Sequence, residues 1–92
     1  MTFEWDTEKN SSNLKKHGVS FEEAVRVFLD PNLLVIADPD ESEERWDVIG
    51  FAGRILYVVY TERGEDNYRI ISARKATKRE IDGYKNHDYG RY

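Results

Sequence analysis

Cysteine is absent from this 92-residue chain, which rules out a disulfide framework and thiolate chemistry. Only two prolines and six glycines occur, so a disordered linker or a repeat is not expected. No apolar run reaches membrane-spanning length, and the N-terminus lacks the basic and apolar stretches of a secretion signal. These absences predict one soluble domain over residues 1–92, located in the cytoplasm and without a membrane partner.

The motifs of several enzyme classes are missing as well. Neither GxGxxG nor a P-loop occurs. His17 and His87 lie far apart without cysteine partners, and no histidine is placed to activate Ser72. The acidic stretch from Asp38 to Asp47 is expected to be a solvated loop rather than a metal site. We therefore predict no metal and no cofactor.

The net charge of −4 conceals a difference between the two parts of the chain. Residues 1–53 carry five Lys/Arg against twelve Asp/Glu, and residues 54–92 carry nine against six. A basic cluster without acidic residues comprises Arg69, Arg74, Lys75, Lys78 and Arg79. Because physiological salt limits the field of a charge to roughly 10 Å, a local cluster matters more than the sum. The cluster predicts binding of an anion or polyanion.

Capping residues predict the two N-terminal helices. Asp6 is a candidate N-cap and Gly18 a C-cap of a helix that ends near Lys16. The segment Ser20-Phe21-Glu22-Glu23 has the form of a capping box, in which serine and glutamate satisfy each other's backbone donors. It opens a second helix from Phe21 to about Leu29.

The remainder of the chain is predicted to be mainly β. Strands are expected over Leu33–Ala37, Glu44–Phe51, Ile55–Thr61 and Tyr68–Arg74, with Phe3-Glu4-Trp5 as a possible edge strand. A capping box of Thr77 and Glu80 starts a terminal helix to about His87. The fold class is therefore α+β: two N-terminal helices, an antiparallel meander of about four strands, and a C-terminal helix. The helices are expected on one face of the sheet, leaving the other open.

The last predicted strand carries two arginines of the basic cluster. Strict alternation places Tyr68, Ile70, Ser72 and Arg74 on one face. Arg69 and Arg74 then lie on opposite faces and cannot hold one substrate together, unless a β-bulge intervenes.

Seven groups of residues resemble the BrnT toxin family, and together they cover almost the whole chain. They are Phe3 to Asp6, Asn13 to Ala24, Phe28 with Asp30-Pro31, Glu44 to Trp46 with Ile49-Gly50, Val58 to Thr61, Arg69 to Ala76, and Glu80 with Tyr84. The resemblance implies a RelE-like fold and a ribonuclease that arrests translation. It also implies neutralisation by a cognate DNA-binding antitoxin in a hetero-oligomer, with no direct DNA binding by this chain.

The resemblance also directs attention to a set of basic and polar positions: Lys15, His17, Glu44, Arg45, Arg63, Arg74 and Tyr84. RNA can be cleaved without a metal, because its 2′-hydroxyl serves as the nucleophile and side chains supply base, acid and positive charge. In our hypothesis Arg74 and Arg45 hold the scissile phosphate. Glu44 or His17 accepts the 2′-hydroxyl proton, and Tyr84 or a lysine protonates the leaving oxygen. Other cations bind substrate: Arg63 and Lys75 at flanking phosphates, and Lys15.

Two alternatives stay open at this point. The chain could be a non-catalytic module whose acidic first half docks a basic antitoxin-like peptide. It could also bind RNA without cleaving it, with an affinity that falls steeply with salt. Each candidate residue also has a structural explanation, such as a helix C-terminal cation for His17 or a cross-strand ion pair for Arg45.

Overall fold

The computed structural model describes residues 1–37 and 44–87. Most of the predicted acidic loop and the tail beyond His87 lie outside these residues. The elements are β1 (Thr2–Glu4), α1 (Thr7–His17), α2 (Phe21–Ala24), β2 (Leu34–Ala37), β3 (Arg45–Phe51), β4 (Ile55–Glu62), β5 (Asn67–Lys75) and α3 (Lys78–Asn86). A 3-10 segment, Val25–Leu29, continues α2.

The described strands form one mixed sheet in the order β1-β5-β4-β3-β2. The predicted antiparallel meander is confirmed for β2 to β5. The sheet has a fifth strand, because β1 pairs in parallel with β5 through Thr2 to Glu4. Phe3 secures this short strand, since its ring lies 5.1 Å from that of Phe28 and 6.0 Å from that of Tyr68. The α+β class therefore holds, with a mixed five-stranded sheet.

Helix α1 has the predicted caps and covers an edge of the sheet. Asp6 accepts hydrogen bonds from the backbone of Glu8 and Lys9, and Gly18 closes the helix at φ 70°. Beyond β1, the edge of β5 is occupied by Asn13. Its side chain accepts from the backbone N–H of Ala73 and donates to the Ala73 and Val19 carbonyls. Asn13 thus satisfies backbone groups that an open edge strand would expose.

The second helix begins as predicted but differs in two details. Ser20 caps it by accepting from the Glu23 N–H at 3.0 Å. Glu23 does not complete the box, because its carboxylate accepts two bonds from Arg54, at 2.8 and 2.9 Å. The second half is a 3-10 helix rather than an α-helix, in a segment that carries the β-branched residues Val25 and Val27.

The main core lies between the first face of the sheet and the segment Val19–Val27. Val48, Leu56, Val58, Ile70 and Ala73 are buried on this face. The 3-10 segment lies so close to β3 that a Cβ atom at Gly50 would be 2.9 Å from Val27 Cβ. Glycine therefore allows the 3-10 segment to pack directly on the sheet.

A β-bulge in β5 changes which side chains share a face. Val59 pairs with Ser72 but the next residue, Tyr60, pairs with Ile70, so Ile71 is the additional residue. The predicted common face of Tyr68, Ile70, Ser72 and Arg74 is therefore wrong, since the bulge reverses the alternation between Ile70 and Ser72. Tyr68 and Ile70 face the main core. Arg69 and Arg74, paired with Thr61 and Tyr57, lie together on the second face.

Helix α3 covers one end of that second face. It begins with the predicted capping box of Thr77 and Glu80 and ends at His87. It packs against β3, and Glu80 bonds Arg74 on the second face. The expectation that all helices lie on one face is therefore wrong. The other end of the second face carries no helix within the described residues.

Candidate functional site

A cleft of about 520 Å³ opens at the uncovered end of the second face. Its floor is a cross-strand row in which Arg45 of β3 pairs with Thr61 of β4, and Thr61 with Arg69 of β5. Among the residues that the structure describes, the cleft is lined by Lys9, Glu44, Arg45, Thr61, Arg63, Arg69 and Ile71. We call this site the arginine cleft. The bulge at Ile71 makes it possible, because without it Arg69 would face the core.

Arg69 is held in the cleft by the N-terminal strand. Its Nη1 donates to Glu4 Oε2 at 2.6 Å, and Asn67 Nδ2 donates to the other oxygen of Glu4 at 2.6 Å. The bonds from Asn67 and Arg69 lower the pKa of Glu4 below its ordinary value, so its carboxylate is charged at neutral pH. The short strand β1 therefore orients a cation at the site.

Arg63 and Glu44 enter the cleft from the ends of strands. Arg63 begins the turn between β4 and β5, where its N–H donates to the Asn67 carbonyl at 2.8 Å. Its side chain is exposed and forms no ion pair within residues 1–37 and 44–87. Glu44 precedes β3, and its carbonyl accepts from the Thr61 hydroxyl at 2.7 Å. Thr61 thus fixes the backbone that carries the cleft's carboxylate.

Arg74 lies on the same face, about 13 Å from Arg69 along the strands. Its guanidinium makes two hydrogen bonds with the Glu80 carboxylate, at 2.7 and 2.9 Å, and lies 4.3 Å from the ring centroid of Tyr57. Burial of Glu80 tends to raise its pKa. The bonds from Arg74 and from the Thr77 N–H outweigh burial, leaving that pKa lowered. Arg74 therefore neutralises a buried carboxylate at the α3 end.

Tyr84 lies on α3, outside the arginine cleft. Its hydroxyl donates to Asp30 at 2.5 Å, and Asp30 also accepts from the N–H groups of Asn32 and Phe51. Burial and the bond to Asp30 raise the pKa of Tyr84 to about 12. The tyrosine thus joins α3 to the end of the 3-10 segment.

The other predicted site residues lie at the opposite end of α1 and β5. Lys15 and His17 belong to the last turn of α1, whereas Lys9 in its first turn lines the cleft. Lys75 is the last residue of β5. The structure thus brings together Glu44, Arg45 and Arg63, and leaves Arg74, His17, Tyr84, Lys15 and Lys75 outside the cleft.

Three cleft residues were absent from the predicted site: Lys9, Thr61 and Arg69. Arg69 was part of the basic cluster, and only the bulge shows that its side chain reaches this face. Thr61 could be found only from its pairing partners, and Lys9 only from the placement of α1 beside β5. Three guanidinium groups and one ammonium group around a polar floor can bind a phosphate, with a carboxylate at the rim.

A solved structure with the same fold is the ribonuclease toxin BrnT of Brucella abortus. The TM-score is 0.69 and the identity 27%, over 85% of this chain and 99% of that one. Residues 5–80 match the model of the family described as ribonuclease toxin, BrnT, of type II toxin-antitoxin systems. The chain therefore belongs to the BrnT family of toxins. No curated protein matches it. Within the described residues, no helix is long and apolar enough to cross a membrane.

Proposed function

We propose that this protein is an endoribonuclease toxin that cleaves RNA in the arginine cleft without a metal ion, arresting translation. The observation that carries the proposal is the row of Arg45, Thr61 and Arg69 with Arg63 and Glu44 at its rim. Membership of a ribonuclease toxin family supports the choice of RNA as the substrate.

The arginines supply positive charge where the reaction develops negative charge. Arg45 and Arg69 flank the centre of the cleft and would contact the non-bridging oxygens of the scissile phosphate. Arg63, which is more exposed, would bind the phosphate next to it. Guanidinium groups suit both tasks because they remain charged and donate in a planar fork.

Proton transfer needs one acceptor and one donor at the same phosphate. We assign Glu44 as the base that takes the 2′-hydroxyl proton, and Lys9 as the lysine that protonates the leaving 5′ oxygen. The 2′ oxygen forms a bond to phosphorus as the bond to the 5′ oxygen breaks. The products are a 2′,3′-cyclic phosphate and a 5′-hydroxyl end.

The sequence-based roles of Arg74, His17 and Tyr84 in cleavage stay predictions. Each lies outside the cleft lining, and Arg74 and Tyr84 each bond a carboxylate, Glu80 and Asp30 respectively. For these three residues a loss of activity on substitution has to be separated from a loss of stability.

A type II system implies an antitoxin partner, and we propose that it neutralises the toxin in a hetero-oligomer. We further propose that the antitoxin, not this chain, binds DNA, and that the toxin acts in the cytoplasm, where translated RNA is found. The RelE-like description of the fold likewise remains a prediction.

The test is incubation of antitoxin-free protein with end-labelled single-stranded RNA in EDTA. We expect wild-type protein to produce 2′,3′-cyclic phosphate ends, and Arg45→Ala to cleave at least about 100-fold more slowly. Arg26→Ala, at an exposed arginine outside the cleft, is the matched control. If folded wild-type protein cleaves neither free RNA nor RNA on translating ribosomes, the binding-module alternative replaces this proposal.

A further inference from the structure

The β-bulge places two neighbouring side chains of β5 on the face that carries the arginine cleft. Ile71 lines the cleft, and the next residue, Ser72, pairs with Val59 of β4. The following pair, Val58 with Ala73, is fully buried in the main core, so Val59 and Ser72 lie on the second face. Ser72 is therefore beside the cleft, one residue along β5 from its apolar lining.

The hydroxyl of Ser72 is available to a ligand. The residue is half-buried, and its hydroxyl forms no hydrogen bond with any part of the chain that the structure describes. By contrast, the hydroxyl of Thr61 in the cleft already donates to the Glu44 carbonyl at 2.7 Å. A β-branched residue would suit the strand position of Ser72 better than serine does, so the sheet itself does not account for this hydroxyl.

Apolar side chains next to Ser72 offer a surface for the flat face of a base. Val59 and Ile71 are both half-buried. Val59 lies about 7 Å from Thr61 along β4, so it adjoins the row of residues that forms the floor of the cleft. Proteins recognise unpaired RNA bases by contacts to their faces and by hydrogen bonds to their edges. A hydroxyl beside two aliphatic side chains can make both kinds of contact.

The proton-transfer roles proposed above determine which base lies here. Glu44, which precedes β3, accepts the 2′-hydroxyl proton, and Lys9 protonates the leaving 5′ oxygen. Lys9 lies near β5, because it is one helical turn before Asn13, whose side chain bonds Ala73. The nucleotide that follows the scissile phosphate therefore lies on the β5 side of the cleft, which is the side of Ser72.

We infer that Ser72 is a specificity-determining residue, whose hydroxyl bonds the edge of the base that follows the scissile phosphate. Ile71 and Val59 contact the face of that base. The inference rests on the proposed function, because cleavage of RNA in the arginine cleft sets the position of the base. It adds a base contact to a site otherwise built from phosphate contacts. Phosphate contacts position the strand, whereas base contacts create a sequence preference.

The test maps cut sites in a single-stranded RNA pool that carries all four bases at every position, incubated with antitoxin-free protein in EDTA. We expect wild-type protein to favour some bases over others at the position after the cut. Ser72→Ala should reduce the ratio between the most and the least favoured base there about fivefold, because one neutral hydrogen bond is lost. The position before the cut should keep its wild-type base frequencies.

Two further variants serve as controls. Ser72→Thr retains the hydroxyl and is expected to retain the base preference. Ser11→Ala makes the same substitution on α1, at a residue that lines a separate hollow with Leu14 and Glu22, and should leave both positions unchanged. Thermal unfolding monitored by circular dichroism checks that each variant is folded at the temperature of the assay.

The same base frequencies after the cut for Ser72→Ala and wild-type protein would overturn the inference, even if the variant cleaved more slowly. A change confined to the position before the cut would contradict it as well, and so would wild-type cleavage without any base preference. Absence of cleavage by folded wild-type protein is a different outcome, because it would remove the proposed function and the inference with it.

Discussion

Two arginines of one strand, on one face of one sheet, have different surroundings. At the α3 end, Arg74 makes two bonds with Glu80, whose residue exposure is only 5%. At the cleft end, Arg69 bonds the partly exposed Glu4 through one nitrogen. The two arginines therefore differ in the burial of their carboxylate partners, and on this ground we expect Arg74 to act on stability and Arg69 to be the one that binds the ligand.

The energetic reason lies in desolvation. A buried carboxylate that loses its partner remains charged without solvation, which is unfavourable. An exposed carboxylate that loses its partner is solvated by water instead. Exposed ion pairs such as Arg69 with Glu4 contribute little to the free energy of unfolding, because water screens the two charges. Substitutions at the two ends should therefore affect different observables, activity at the cleft and stability at α3.

The largest effect is expected for Arg69→Ala. Losing one donor to the phosphorane should slow RNA cleavage about 100-fold, while the melting temperature changes by only a few degrees. Single-turnover cleavage and thermal unfolding monitored by circular dichroism measure the two quantities. Glu4→Gln serves as the control for the ion pair alone. If Arg69→Ala lowered the melting temperature strongly and the folded variant still cleaved at the wild-type rate, Arg69 would be a structural residue and not part of the phosphate site.

Arg74→Ala is expected to act mainly on stability. Leaving Glu80 without its guanidinium should lower the free energy of unfolding by about 2 kcal/mol, or roughly 10 °C in melting temperature. Because the Arg74 bonds help to lower the pKa of Glu80, this contribution is present at neutral pH and is lost as pH falls through that pKa.

The sequence-based hypothesis instead expects Arg74→Ala to abolish growth arrest with the fold intact. Cleavage assayed well below the melting temperature distinguishes the two roles. Normal cleavage by folded Arg74→Ala protein would remove Arg74 from the phosphate site, and lost cleavage without lost stability would return it there.

Tyr84→Phe is expected to have the smallest effect, a destabilisation of about 1 kcal/mol, because Asp30 keeps its two backbone donors. The pKa of Tyr84 is raised to about 12, so its contribution is complete below the unfolded-state pKa near 10. It is lost as pH rises between these values. Urea unfolding at a series of alkaline pH values should show a shallower decline for the variant. A parallel decline would mean that the Tyr84–Asp30 bond contributes little.

Local elements of this fold were predictable because their signals lie within a few residues. Asp6 and Gly18 bound α1 as expected, and Thr77 with Glu80 starts α3, since capping depends only on neighbouring backbone groups. The antiparallel pairing of β3 with β4 and of β4 with β5 follows for a similar reason, because short turns join these consecutive strands.

Features that depend on distant partners could not be predicted in this way. Glu23 satisfied the capping pattern locally, but in the fold its carboxylate binds Arg54, 31 residues away. The pairing of β1 with β5 joins residues that are 65 positions apart, such as Thr2 and Asn67. The cleft itself was only partly foreseen: Glu44, Arg45 and Arg63 were named from the family resemblance, whereas Arg69 needed knowledge of the opposite strand.

Because Ile71 is an additional residue in β5, the number of residues in this strand decides which face of the sheet Arg69 and Arg74 occupy. Removing one residue between Ile70 and Ser72 would restore strict alternation and turn either Arg69 or Arg74 toward the helix-covered face. All other side chains would be retained, and the protein would still lose either the Arg69 contact in the cleft or the Arg74 contact with Glu80. Single-residue insertions and deletions in this strand are therefore expected to be tolerated less well than most substitutions, and the number of residues between the two arginines to persist among active relatives.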